Sequence, residues 1–409
     1  MSAGLKPRPT CVQSLMLRHP IIHRAPVIAV VVVAAVVGSA RPARAQQEPG
    51  RGVIVDDVKC ATDGSQSYAL YLPSNYSRDR GWSLLMAFHP AARGRAMVEK
   101  YQAAAERYGY IVAGSNTSRN GSFAASAAAV KAMSTDLGQR FAIDASRVYL
   151  TGMSGGARVA LMVALGSKGI AGVIASSAGY PDSKPRASVP FPIYGTAGTE
   201  DFNYLEMRLL DRRLTSPHRL AIFDGGHTLP PDEIALDAIE WMELQAMKSS
   251  LRPKDDALVA RWFEKRQQRI ASADGAAAAV PLLEALVDDF KGLRDVAAET
   301  SRVKELSSQP DVKKAIARQR SADDAESRML TDIFELEAGL TDESRRALNL
   351  GRLRDQLLRY KRVAESETDS PERSQARRLL RSVTFGASER VEDPQYLRLL
   401  QEINPGVRR

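Results

Sequence analysis

Apolar positions in the first 250 residues fall into short runs that alternate with stretches of helical spacing. Ser67 to Leu72, Trp82 to Phe88, Tyr110 to Ala113, Arg147 to Thr151, Val173 to Ala175, Phe191 to Tyr194 and Leu220 to Phe223 read as strands. Between them, Met97, Val98, Tyr101, Ala105 and Tyr108 recur at intervals that put them on one helical face. Ala124 to Phe141 and Ile234 to Met247 form two further helical stretches. Uninterrupted apolar strands alternating with helices predict an α/β domain whose mainly parallel sheet is covered on both faces. The short interval between Ala175 and Phe191 leaves no room for a lid.

Beyond Ser249-Ser250-Leu251-Arg252-Pro253 the pattern changes. Residues 46–250 carry 21 Lys or Arg and 20 Asp or Glu, whereas residues 251–409 carry 30 and 28 in a shorter span that holds only six of the 28 glycines. Apolar faces recur at Leu258, Trp262 and Phe263, at Leu282, Leu283, Leu286, Val287 and Phe290, and at Leu353, Leu357, Leu358 and Tyr360. These features predict an all-α C-terminal domain over 251–409, following the α/β domain over 46–250. Paired helices would suit a tetratricopeptide-like superhelix, but no clean period of about 34 residues recurs, so an irregular bundle is the simpler reading. Dense mixed charge on the remaining faces reads as solvated surface. Its one expected role outside the fold is to recruit a protein partner.

Residues 1–45 have the form of a secretory signal peptide, with Lys6, Arg8, Arg18 and Arg24 ahead of the apolar run Val27 to Val37 and Ala43-Arg44-Ala45 before Gln46. That run is shorter than the roughly 20 residues a bilayer span needs. Cleavage would place the chain in the periplasm or outside the cell; uncleaved, the segment would be its membrane contact. The 409-residue chain has a formal charge of +9, and six Lys or Arg with no Asp or Glu lie in the first 45 residues, which leaves about +3. A balance so close to neutral, with no basic stretch interleaved with aromatics, excludes an electrostatic case for nucleic acid. Of the two cysteines only Cys60 lies beyond residue 45, so neither an internal disulfide nor a thiolate-built metal site is available there.

Candidate chemistry sits at Gly152-Met153-Ser154-Gly155-Gly156, a Gly-x-Ser-x-Gly motif between a predicted strand and a small-residue run of helical character. In that context the motif is a nucleophile elbow, a tight turn that lifts a serine above a sheet where a histidine can take its proton. Such a site needs an acid and a histidine further along, in that order. Asp201 follows the strand at Ile193-Tyr194, and His227 follows the strand ending at Phe223. Of the three histidines beyond residue 45, His218 precedes its strand and His89 belongs to the loop shaping the oxyanion pocket, which leaves His227 as base. For the acid, Asp201 is favoured over its neighbour Glu200 and over Asp182, while Asp224 is close enough to His227 to shape its loop instead. Asp201 could equally mark the start of the helix at Phe202-Asn203-Tyr204. A tetrahedral intermediate also needs two backbone donors. Gly155 supplies one, and Ala91 is the candidate for the other, because Pro90 has no N–H. Asn116, Arg119 and Asn120 lie in a loop at the same sheet edge and are candidates for substrate contact.

Taken together, these residues follow the order of an α/β-hydrolase domain. The segments Tyr149 to Ala157, Gly195 to Asp201 and Gly225-Gly226-His227-Thr228-Leu229-Pro230 resemble secreted esterases of the polyhydroxybutyrate depolymerase and feruloyl esterase group, over roughly residues 53–248. The resemblance implies hydrolysis of a small or polymeric carboxylic ester through an acyl-enzyme, with Ser154, Asp201 and His227 as triad and no metal or organic cofactor. His89-Pro90 stands where the group usually has His-Gly, and the helical C-terminal region has no counterpart in a minimal depolymerase. A dienelactone-hydrolase-like or peptidase activity is the nearest alternative within the enzymes. From another class, the chain would be a binding or scaffold protein whose C-terminal helices carry the function.

Overall fold

The computed structural model describes residues 49–404, residues 183 and 185 excepted. The expected signal segment lies outside the described residues. From Ile54 onward the chain builds β1 (Ile54–Lys59), β2 (Ser67–Tyr71), β3 (Trp82–Phe88), α1 (Gly94–Tyr108), β4 (Tyr110–Ser115), α2 (Phe123–Arg140), β5 (Ile143–Met153), α3 (Gly155–Gly166), β6 (Ile170–Ser176), β7 (Ile193–Gly198), α4 (Tyr204–Arg213), β8 (His218–Phe223) and α5 (Asp232–Lys248). The eight strands form one sheet in the order β1-β2-β4-β3-β5-β6-β7-β8. β2 is antiparallel to both its neighbours, and every pairing from β4 to β8 is parallel. This is the strand order of the α/β-hydrolase fold.

Alternation along each strand divides the core in two, because successive side chains leave a strand on opposite faces. Leu70, Leu84, Met86, Ile111 and Leu150 pack with Val130 and Met133 of α2 and Val159 of α3. Tyr71, Leu85, Val112, Tyr149 and Ile174 pack on the other face with Met97 and Tyr101 of α1 and Ile239 and Trp241 of α5. Strands covered in this way have no solvent face, which is why they read as apolar runs. The edge strands are the exceptions: the IVDDVK sequence of β1 leaves most of its residues partly or fully exposed, and β8 is partly exposed up to Phe223.

The register brings the carboxyl ends of the central strands to one level. Met153 lies beside Ser176, Ser176 beside Thr196, and Gly198 beside Phe223. The segments after β5, β7 and β8, which contain Ser154, Asp201 and His227, therefore leave the sheet at a common edge. No helix or strand interrupts the segment between β6 and β7 among its described residues.

The C-terminal region is wholly helical among the described residues: α6 (Asp256–Ala271), α7 (Ala276–Phe290), α8 (Ala297–Ser308), α9 (Pro310–Ala338), a short 3-10 turn at Gly339–Thr341, α10 (Glu343–Ala364), α11 (Pro371–Thr384), α12 (Ala387–Arg390) and α13 (Pro394–Ile403). Their lengths, from 4 to 29 residues, do not recur in pairs as the units of a helical repeat would. The region is an irregular bundle. It packs against the sheet domain in two places. Trp262, Phe263 and Phe290 share a cluster with Leu244 and Met247 of α5, and Leu205 of α4 is buried in the cluster that α9, α10, α11 and α13 build.

Candidate active site

Ser154 sits between β5 and α3 in a conformation that an L-residue rarely adopts, with φ 54° and ψ −122°. Holding a non-glycine residue there costs about 1–3 kcal/mol, so the surroundings must over-determine it. They do so through three backbone hydrogen bonds: Ser154 N–H donates to Ser176 O at 2.8 Å, and Ser154 O accepts from Ala157 and Arg158. Two glycines make the turn possible. A Cβ on Gly152 would collide with the backbone of Gly156, and one on Gly156 would collide with the Phe88 carbonyl. The helix that begins at Gly155 aims its first amides, with their partial positive charge, at the space beside the serine.

The loops after β7 and β8 are laced together. Thr199 N–H donates to Phe223 O and Glu200 N–H to Gly225 O, both at 2.8 Å. The Thr199 hydroxyl donates to Asp224 Oδ1 at 3.1 Å. This lacing sets Asp201, whose side chain is fully buried, against His227, with Nδ1 to Oδ1 at 2.8 Å. The same carboxylate oxygen accepts the Asn203 N–H at 2.8 Å, so Asp201 both orients the imidazole and holds the start of the following helix. A carboxylate on Nδ1 fixes the tautomer that leaves Nε2 as the proton acceptor. Phe202 stacks on the imidazole with centroids 4.0 Å apart, and Phe385, from the end of α11, stacks on Phe202 at 4.4 Å.

The other candidate acids have different partners. Glu200 pairs with Arg377 at 2.6 Å and Arg381 at 3.1 Å, Asp182 pairs with Arg186, and Asp224 accepts from Thr199. His218 begins β8 and turns to Ser216 O and Asp211, at the opposite end of the strand from His227. Asn116 donates to Asp56 O and ties down the sheet edge, and Arg119 pairs with Ala91 across an isolated bridge. Asn120 reaches the elbow: its N–H donates to Pro90 O, and its side-chain carboxamide fills the space where a Cβ of Gly155 would stand.

The Ala91 N–H, expected from loop position to face the oxyanion, donates to His89 Nδ1 at 3.0 Å. Burial, and then the nearby Arg93 charge, push His89 below the ordinary histidine range, which keeps the ring neutral and its Nδ1 able to accept. The His-Pro start of this loop thus turns the amide after the proline back onto the histidine.

The residues of α11 were not legible as part of the site. Arg377, Arg378, Arg381, Ser382 and Phe385 all touch the loop Thr199 to Phe202, yet in sequence they are ordinary residues of a charged helix about 180 positions away. The arginines at 377 and 381 and the phenylalanine at 385 repeat at intervals of four on one helical face. That spacing is the only local trace of a shared surface.

Among the described residues no group of three or more His, Cys, Asp or Glu could hold a metal ion. No protein-family model and no curated protein matches the chain. Among solved structures, the chain is similar to the hyperthermophilic esterase from Pyrobaculum calidifontis, at 12% identity over 50% of this chain and 87% of that one, with TM-score 0.36. It is similar too to Thermogutta terrifontis esterase 2, at 12% identity over 51% and 99%, with TM-score 0.39, and to the carboxylesterase from Mesorhizobium loti, at 18% identity over 46% and 99%, with TM-score 0.36.

Proposed function

We propose that the chain is a serine hydrolase that cleaves carboxylic esters through an acyl-enzyme intermediate. The observation that carries this reading is the combination of a strained serine at the head of α3 with a carboxylate-oriented imidazole leaving the same edge of the sheet. His227 Nε2 takes the proton of Ser154 Oγ as the oxygen attacks the ester carbonyl. The carbonyl oxygen becomes an oxyanion held by the Gly155 N–H. As the ester C–O bond breaks, the imidazolium returns its proton to the leaving alcohol. Water, deprotonated by the same imidazole, then attacks the acyl carbon; the bond to Ser154 Oγ breaks, the imidazolium returns its proton to that oxygen, and the acid leaves.

A second oxyanion donor is required, and the Ala91 amide is engaged with His89. The side-chain carboxamide of Asn120 is the group next to Gly155 that can supply an N–H, after a half-turn about its last torsion. The open segment between β6 and β7 suits a short acyl group or the end of a polymer chain better than a long lipid. The form of residues 1–45 supports action in the periplasm or outside the cell.

A fluorophosphonate probe tests the reading directly. Wild type should be labelled at Ser154 and Ser154→Ala should not, and a chain-length series of aryl esters should be turned over fastest with short acyl groups. An unlabelled wild type would overturn the enzyme reading, and preference for long chains would overturn the open acyl site.

A further inference from the structure

The loop that carries Asp201 has its hydrogen bonds divided between two domains. Its amides are satisfied within the hydrolase domain, that of Thr199 by Phe223 O at the end of β8, that of Glu200 by Gly225 O in the loop after it and that of Asp201 by Gly198 O. Its carbonyls are satisfied mainly by α11. Arg378 Nη1 donates to Thr199 O at 2.8 Å, Arg381 Nη1 to Glu200 O at 2.9 Å, and Ser382 Oγ to Phe202 O at 3.1 Å. The Glu200 side chain closes the arrangement by pairing with both Arg377 and Arg381.

These donors are themselves held from behind. Arg378 is gripped by both oxygens of the buried Glu326, at 2.7 and 2.5 Å, and lies over the Tyr204 ring. Arg377 Nε donates to Ala364 O at 2.9 Å. The opposite face of α11, Ala376, Leu379, Leu380 and Val383, is buried in the core of the helical bundle, and Ser370 caps its first turn ahead of Pro371. A helix anchored on one face and hydrogen-bonded on the other acts as a rigid strut. Its last contact is Phe385, whose ring closes the stack over Phe202 and the His227 imidazole while remaining 47% exposed.

We infer that α11 is a positioning element of the acid–base pair: it holds loop 199–202 so that Asp201 engages His227, and through Phe385 and Phe202 it sets the plane of the imidazole. The C-terminal domain is on this account a working part of the active site, and a hydrolase domain without it lacks a formed Asp201–His227 pair. The kinetic consequence rests on the serine-hydrolase reading, whereas the effect on the hydrogen bond rests on geometry alone.

Two readouts on the full chain separate these claims: the rate constant for fluorophosphonate labelling of Ser154, and the NMR signal of the His227 Nδ1–H in 15N-histidine-labelled protein, assigned with His227→Asn. In Arg377→Met/Arg381→Met labelling should slow by roughly 10- to 100-fold, the scale of a misplaced catalytic group, and the imidazole signal should broaden or vanish while the thermal midpoint changes little. Phe385→Ala should slow labelling several-fold, and Phe385→Tyr, which keeps the ring, should restore it. Lys265→Met, which breaks the 2.7 Å pair with Glu240 elsewhere in the same domain interface, should change neither readout. Labelling within about twofold of wild type, together with an intact imidazole signal in the double variant, would overturn the inference. An unlabelled wild type would sink the enzyme reading instead, and the imidazole signal would then decide the role of α11 by its loss or persistence. If the double variant does not fold, Phe385→Ala decides by the same two readouts.

Discussion

Ser154, Asp201 and His227, the residues proposed to act together, stand out in the sequence because each obeys a local rule of order and spacing. A glycine-flanked serine follows an apolar run, and an acid and a histidine follow later runs in the required order. Only three histidines compete beyond residue 45. For Ala91 the sequence offered loop position alone, and nothing in the order of residues shows that the His89 side chain folds back to accept its amide. Asn120 shows the reverse: a loop residue with no motif of its own lies against Gly155 because its amide is bound by Pro90 O. If its carboxamide stabilises the oxyanion, Asn120→Ala should lower kcat for a short aryl ester by about 10²- to 10³-fold with KM nearly unchanged, the usual effect of removing one such donor. A loss confined to KM would make Asn120 a substrate contact instead.

Among the elements, the periodicity located the buried strands and the helices behind them but passed over β1, whose paired aspartates at an exposed edge break the apolar run. It also could not foresee that α5 is enclosed on both sides. Asp237, Glu240 and Glu243 on this helix are buried, and each carries a partner from across the domain interface or the sheet. Asp237 accepts from Tyr194 Oη at 2.6 Å and pairs with Arg266 of α6 at 3.6 Å. Burial pushes its carboxyl up, but the Arg266 and Arg219 charges outweigh it and hold the group below the ordinary carboxylate range. A carboxyl depressed in the folded state binds fewer protons than in the unfolded chain. Its contribution is therefore present above the unfolded value of about 3.9 and is lost as the pH falls below it. Asp237→Asn should lower the thermal midpoint at pH 7, because Arg266 is left buried with one partner fewer, and the gap to wild type should narrow below about pH 4. A gap that is constant across that range would show that the charge of Asp237 contributes nothing to the acid limb.

At the scale of the whole molecule, the shift in composition near residue 250 marks where loop-rich sequence gives way to helices, and it invites the conclusion that two independent units meet there. A shift of that kind reports secondary structure, however, and says nothing about which surfaces need each other. Trp241 of α5 donates its indole N–H to Asp289 of α7 at 2.6 Å, and Arg219 of β8 pairs with the same carboxylate. The Tyr108 and Trp262 rings meet edge to face with centroids 5.8 Å apart. Leu244 and Met247 are buried in the cluster that α6 and α7 complete. Cutting the chain at residue 250 would expose these side chains, each worth about 1.5–3 kcal/mol of burial, in a domain whose net stability is about 5–15 kcal/mol. It would also strip the Thr199, Glu200 and Phe202 carbonyls of their donors from α11. A chain of residues 46–250 should accordingly aggregate or bind hydrophobic dyes such as ANS strongly, and should be labelled by fluorophosphonate far more slowly than the full chain. Adding a separately expressed 251–409 segment should recover labelling if the interface alone was missing. A soluble, monomeric 46–250 chain labelled at the full-length rate would instead make the helices an appendage, and their surface would have to be explained by a partner outside this chain.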